Sequence, residues 1–247
     1  DVFPEVAGLL QDFRSPLLNA MLDRVSRFLV RRASRVVALG DTMAARLVQG
    51  KGADAARTVV IHNWADTDAI VPSDLDVVIE AAARLRDRPD ILVLFIGEGN
   101  RRRALEEAVA ARRLANVRFL PFQPRDQMRW TYASADACLV SLKPGLAGYI
   151  VPSKLYPILA AGRPYLAAVD ADSEVAAVTV RYRCGALVPT DDPEALAAAI
   201  RQMADLSAPQ RQAMGARARE AAMLFARDRQ VAAHAALWRA VAGQARS

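Results

Sequence analysis

In the stretch GYIVPSKLYPILAAGRP, residues 148–164, a serine and a lysine follow a proline where an apolar, β-rich run gives way to a helical pattern. Pro152 and Ser153 place a hydroxyl cap and free backbone N–H groups at a helix start, and Lys154 adds a full positive charge. Helix N-termini favour anions through exposed donors and aligned peptide dipoles, so a lysine in the first turn is electrostatically misplaced unless an anion binds beside it. Two readings stay open: an ammonium that simply reaches water, or a phosphate site. Gly145, Gly148 and Gly162 favour the second, because glycines keep the backbone close to a ligand. Two further segments end strand-like runs. Gly97-Glu98-Gly99-Asn100 follows ILVLFI and reads as a tight strand-to-helix turn or as a backbone approach to a ligand; G-E-G-N-R-R lacks the third glycine of the dinucleotide fingerprint. Leu120-Pro121-Phe122-Gln123-Pro124 sets a phenylalanine between prolines, able to stack on a ring or to plug its own loop.

Other signals carry less. Asp170-Ala171-Asp172 spells a metal–diphosphate pattern, yet Ser173 and Glu174 behind it read as a helix start, and the metal reading is set aside. His62, His234, Cys138 and Cys184 are too scattered for zinc-like spacing, and no serine sits in a G-x-S-x-G elbow. The two cysteines lie in apolar stretches and fit reduced, buried thiols of a cytosolic protein.

The elements that must position these residues alternate. A helix over 17–33, with Ser15-Pro16 at its start, puts Leu17, Leu18, Met21, Leu22, Val25, Phe28 and Leu29 on one face and Arg24, Arg27, Arg31 and Arg32 on the rest. Strands are predicted at 35–39, 58–64, 91–97, 117–122, 137–142, 164–169 and 185–190. Helices are predicted at 41–49 with Asp41 as cap, 74–87, 100–113, 125–133, 153–161, from Ser173, from Asp191 or Asp192, from Ser207, and at 227–242. Strands alternating with helices argue for an α/β fold with parallel sheets covered on both faces. The loop ADTDAIVPSD is the best boundary, but the helix after it lacks the strand that should open a parallel-sheet domain.

At 247 residues and 53% hydrophobic, the chain can bury one large core or two modest ones. No apolar run reaches the roughly 18–20 residues that span a bilayer. Asp1 opens directly into VFPE, with no basic n-region or apolar h-region, which suggests a start inside something larger. The net charge of +6 fits a solvated basic surface, an anionic ligand or an anionic membrane face. At 6% aromatic residues and with no nucleic-acid-binding pattern, the sequence speaks against nucleic acid.

With these pieces assembled, the chain resembles the retaining family-4 glycosyltransferases of the GT-B fold, in particular bacterial enzymes of O-antigen, capsule and colanic-acid synthesis. DVFPE (1–5), RRASRVVALGDTMAARL (31–47), VVIHNWADTDAI (59–70), FIGEGNRRRALE (95–106), NVRFLPFQPRDQM (116–128), YASADACLVSL (132–142) and VPSKLYPILAAGRPYLA (151–167) carry the likeness, the last most specifically. The resemblance implies two Rossmann-like domains: the C-terminal part of an acceptor-side domain at 1–66 and a nucleotide-sugar-binding domain at 67–226. A C-terminal helix at 227–247 would cross back. It further implies transfer of a sugar, UDP-activated or GDP-activated, to a glycan or polyprenyl-linked acceptor, with the nucleotide sugar as substrate and neither cofactor nor metal. Ser153 and Lys154 would meet the donor diphosphate, Gly97 and Glu98 would flank the nucleotide, Leu120, Pro121 and Phe122 would hold the base, and Tyr149, Pro152 and Tyr156 would complete the donor site. Asp1 and Glu5 would face the cleft as catalytic-side groups beside Lys154.

Three departures accompany the likeness. The family's E-x7-E pair falls on Tyr149 and Pro157, so the ribose contact is unassigned. Most of the acceptor half is absent, and about thirty residues, one βα unit, are missing before LDVVIEAAARL. Helix 17–33 keeps two readings, a basic amphipathic contact with the inner face of the cytoplasmic membrane or a packed helix with its arginines in water. The rival functions are a nucleotide-sugar-binding or degenerate fragment without catalysis and, less favoured for want of cleft acids and histidines, a UDP-sugar 2-epimerase. An NAD-dependent oxidoreductase is weakest, for want of the fingerprint.

Overall fold

The computed structural model describes residues 15–62 and 75–244, apart from the side chains of Arg125 and Gln244. Asp1, Glu5 and most of the expected boundary loop lie outside the described residues. Helix α1 (Pro16–Arg32) starts where the sequence places it: Ser15 Oγ accepts the Leu18 amide at 3.4 Å, and Pro16 fills a first-turn position that needs no N–H. Strand β1 (Val36–Ala38) passes through Gly40 into α2 (Asp41–Arg46), which widens into a π-helical turn, Leu47–Lys51. Asp41 is the first residue of α2 rather than its cap. Gly40 takes the cap position, and the carboxylate bonded to the Asp41 amide belongs to Glu174. Strand β2 (Thr58–Val60) runs parallel to β1, with Val37 opposite Val59.

From residue 75 strands and helices alternate: α3 (Leu75–Ala83), β3 (Val93–Ile96), α4 (Arg102–Ala111), β4 (Val117–Leu120), α5 (Met128–Ser134), β5 (Cys138–Ser141), α6 (Leu155–Ala160), β6 (Tyr165–Ala168), α7 (Glu174–Tyr182) and β7 (Gly185–Val188). Three helices follow among the described residues: α8 (Pro193–Asp205), α9 (Ala208–Ala222) and α10 (Arg227–Gln244). Ser173, Asp192 and Ser207 cap α7, α8 and α9 through side-chain oxygens, and Gln210 completes a capping box with Ser207. The strands are shorter than the apolar runs that announce them. Leu142 and Val169, just past β5 and β6, are buried in the core, and the Leu142 amide still donates to the Ala168 carbonyl at 3.0 Å.

Every described ladder is parallel: β3 with β4, and β5 with β6 with β7. Parallel sheets require cover on both faces. One cover is α3 with α8, whose Val77, Val78, Leu196 and Met203 share a core with Leu166 and Val188, with Val93, Phe95 and Leu139 packed against it; a single helical layer therefore spans both sheets. The other cover combines α6, α7 and α9 with the N-terminal elements, so that Ala38, Met43 and Leu47 share a core with Val140, Leu155, Leu159, Tyr165 and Ala218. Among the described residues no hydrogen-bonded strand joins β3 to β5. Leu94 and Ile96, on the face of β3 turned away from α3, are exposed.

Candidate functional site

Two groups of residues stand where parallel strands end. The first is the turn into α6. Val151, Leu155 and Tyr156 are buried in the core and anchor its two sides. The helix begins at Leu155, two residues later than the sequence pattern predicts, and Lys154 itself occupies the cap position without a side-chain cap bond. Ser153 is not the cap: it is buried, and the Pro152 and Ser153 carbonyls accept the amides of Leu155 and Tyr156 at 3.2 and 3.3 Å. Pro157 has no N–H to offer. The tight turn thus consumes the donors expected at the helix start and moves the unused ones back by two residues. Among the described residues, the amides of Ser153 and Lys154 have no acceptor, and the Lys154 ammonium has no carboxylate partner. The lysine is exposed along one side, yet the protein around it desolvates the ammonium and draws its pKa below the ordinary lysine value.

Gly162 does not serve this turn, contrary to expectation. It ends α6 at the opposite side, at φ 65°, where a Cβ on Gly215 would collide with its carbonyl. Gly215 is the residue whose missing Cβ lets the backbones of α6 and α9 touch, while Gly162 is called for by its positive φ at the end of α6. Gly145 and Gly148, at φ 79° and 73°, do lie in the loop before the turn. Asp170 Oδ2 accepts the amides of Gly145 and Ala147 at 2.8 and 3.4 Å and so folds that loop. Asp172 is also engaged: its carbonyl accepts Thr42 Oγ1 at 3.0 Å and its carboxylate stands 4.0 Å from Arg46. Among the described residues no group of three or more His, Cys, Asp or Glu side chains could hold a metal ion. The Tyr149 ring lies under the Arg46 guanidinium, 4.3 Å from its centre. Tyr156, expected in the donor site, is buried with its ring 5.0 Å from that of Phe225; its aromatic face is spent on the core.

The second group joins the loops after β3 and β4. The Gly97 amide donates to the Leu120 carbonyl at 3.2 Å. Arg102, which the sequence reading overlooked, fastens the rest. One guanidinium nitrogen donates to the Gly97 carbonyl at 2.7 Å, to Glu98 at 2.8 Å and to the Leu120 carbonyl at 3.0 Å, while Nε donates to Glu106 at 2.8 Å. Its signal was its spacing, four residues after Glu98 and four before Glu106, so that both carboxylates lie within reach on one helical face. Phe122 is 55% exposed and does not plug its loop; its ring is available for stacking. Tyr149, Pro152, Ser153 and Lys154 therefore gather on the β5–β6–β7 side, and Gly97, Glu98, Leu120, Pro121 and Phe122 gather on the β3–β4 side.

A family model described as "Glycosyl transferases group 1" matches residues 72–221, more than half of the chain and both loop groups. The chain belongs to the group 1 glycosyltransferases. Among curated relatives, this glycosyltransferase chain is 27% identical over 237 residues to "Probable glycosyltransferase WbjE" of Pseudomonas aeruginosa, covering 83% of the chain and 58% of that relative. It is 37% identical over 129 residues to "Putative colanic acid biosynthesis glycosyl transferase WcaI" of Escherichia coli K12, covering 52% of the chain and 31% of the relative. The chain thus spans less than two thirds of the length of either. Among solved structures, Anabaena Alr3699/HepE in complex with UDP superposes with a TM-score of 0.71 at 18% identity, over 93% of this chain and 69% of that one. Likeness at that identity shows the fold, and it is the GT-B type that the sequence motifs imply.

Proposed function

We propose that this chain holds a nucleotide-sugar donor, a UDP-sugar, at the Lys154 turn and serves transfer of the sugar, with retention, to a polysaccharide or polyprenyl-linked oligosaccharide precursor. The observation that carries this reading is the turn itself: a desolvated ammonium with no carboxylate partner among the described residues, beside two amides without acceptors there, in a member of this family. A diphosphate relieves all three at once, by charge and by hydrogen bonds. As the bond between sugar and diphosphate breaks, charge grows on the departing nucleotide where these fixed donors already point. Asp170 and Asp172 are occupied by the glycine loop and by α2, which supports a metal-independent reaction. The Arg102-bound loops border the nucleoside, with Phe122 offering its ring. UDP is favoured because HepE was solved with it, and a glycan precursor because WcaI is named for colanic acid.

The acceptor side is proposed to lie at the inner face of the cytoplasmic membrane. Among the described residues no helix is long and apolar enough to cross a membrane. The outward face of α1 carries Leu17, Met21, Val25 and Phe28, the first 85% exposed, among Arg24, Arg31 and Arg32, a combination suited to anionic lipid. A second reading, donor binding without transfer, is favoured by the absence of a strand joining β3 to β5 among the described residues.

Thermal shift with UDP and GDP tests the proposal. The melting temperature rises with UDP in the wild type and not in Lys154→Ala; at a hundredfold excess over Kd the expected stabilisation is about 2.7 kcal/mol. No shift with either nucleotide refutes the donor site. UDP release from a UDP-sugar in the presence of acceptor separates transfer from binding alone.

A further inference from the structure

The glycine loop before Lys154 is gripped from two sides. Asp170 holds the Gly145 and Ala147 amides, and α2 covers the other side, with Arg46 over the Tyr149 ring. A Cβ on Gly148 would collide with the Arg46 and Thr42 side chains, so the contact with α2 is intimate. Two positive-φ glycines make the loop's own backbone permissive, and its neighbours set its path. Yet α2 spans only Asp41–Arg46, and its cap residue, Gly40, has no side chain to bond the first amides. Glu174, 9% exposed at the start of α7, supplies the missing acceptor, with Oε2 3.1 Å from the Asp41 amide. A Cβ on Gly40 would collide with that carboxylate, so a larger residue there must push the Glu174 side chain aside. His62 faces the same carboxylate, Nδ1 to Oε1 at 3.8 Å, and its Nδ1 also lies 3.1 Å from the Leu39 carbonyl. The Asp41 carboxylate is the other charge acting on Glu174, while Asp172 and Arg46 pair at 4.0 Å at the far end of α2.

We propose that Glu174 is a positioning residue for the Lys154 turn: it caps α2 across the chain, and α2 in turn holds the loop that delivers Ser153 and Lys154 to a nucleoside diphosphate. The inference rests on the donor reading above. Its single-residue consequence is that a side chain remote from the ligand controls affinity through the loop.

Isothermal titration with UDP, run well below each variant's melting temperature, provides the test. Glu174→Ala and Arg46→Ala each weaken UDP binding about tenfold, since a slackened loop misplaces its donors. The double variant is no worse than the poorer single, because both act through one loop. Glu174→Gln keeps an acceptor oxygen for the Asp41 amide and binds within about twofold of wild type. Gly40→Ala displaces the carboxylate without deleting it, reproduces the Glu174→Ala loss, and decides the matter if Glu174→Ala fails to fold. A merely structural role moves melting temperatures and leaves these affinities alone. If the wild type binds UDP and these variants bind equally well, or if the double loss is the product of the single ones, the inference falls and the donor reading stands. If the wild type does not bind UDP, the donor reading falls and takes the inference with it.

Discussion

Arg102 offers the sharpest test of how the two strand-end loops are held. Its guanidinium is about a quarter exposed and makes two kinds of bond. Those to Glu98 and Glu106 are to carboxylates 60% and 44% exposed, and such pairs contribute about 0–1 kcal/mol each. Those to the Gly97 and Leu120 carbonyls are charge-assisted, the first half-buried and the second exposed, and bonds of this kind are worth about 1.5–3 kcal/mol in favourable cases. Truncation leaves both carbonyls near water, and the Leu120 carbonyl keeps the Gly97 amide, so part of the loss is recovered. The net expectation for Arg102→Ala is a destabilisation of about 2 kcal/mol. Arg102→Lys recovers only part of it, since one ammonium at the end of a shorter, more flexible stem cannot serve the two carbonyls and Glu106 together. Urea unfolding with constant slope measures both changes. A loss under about 0.5 kcal/mol for Arg102→Ala, or full recovery by lysine, would refute the claim that this side chain ties the loops together.

Two further outcomes follow from buried groups. Burial pushes the Cys138 thiol up to about 11 and raises the fully buried Cys184 thiol as well, so neither reacts quickly with a disulfide reagent at pH 8 until urea is added; a fast native-state thiol would contradict the packing of β5 and β7. Burial likewise raises the Glu174 carboxyl above its ordinary value of 4.5, with His62 opposing the rise. The folded chain then holds that proton more tightly than the unfolded chain, so the wild type gains stability as pH falls from the raised value toward 4.5 and loses it as pH rises through the same window. Glu174→Gln does not titrate there, so the stability difference between the two proteins, read from urea midpoints, shifts toward the wild type on acidification. Parallel curves, or the opposite slope, would overturn the assigned direction.

Much of the architecture was legible because local chemistry and periodicity agree. Ser15-Pro16, Asp191 or Asp192 before Pro193, and Ser207 with Pro209 announce helix starts, and the structure forms them with Ser15, Asp192 and Ser207 as caps. Alternating apolar runs announce the parallel strands. What was not legible depends on contacts distant in sequence. Nothing near Asp41 reveals that its helix is capped by Glu174, 133 residues later, because an in-trans cap leaves only a glycine as its local trace. The role of Gly162 was misread for the same reason: whether a glycine admits a ligand or a neighbouring helix is decided by Gly215.

The site shows the same division. Lys154 stood out because its charge opposes the helix dipole, a conflict visible within one turn. The exact donors beside it were not visible, because they depend on how the Pro152 and Ser153 carbonyls close that turn and on Pro157 lacking an N–H. The absent carboxylate pair then acquires a physical meaning. With Tyr149 in place of an acid, Arg46 can lie against the ring and pair with Asp172; an acid there would instead draw Arg46 into a salt bridge and remove the aromatic surface from the loop. The departure from the family pattern and the grip of α2 on the glycine loop are therefore one feature. The proposed donor site depends in this way on the interlocking of α2, the loop and α7, with a tyrosine standing where the resemblance leads one to expect a carboxylate.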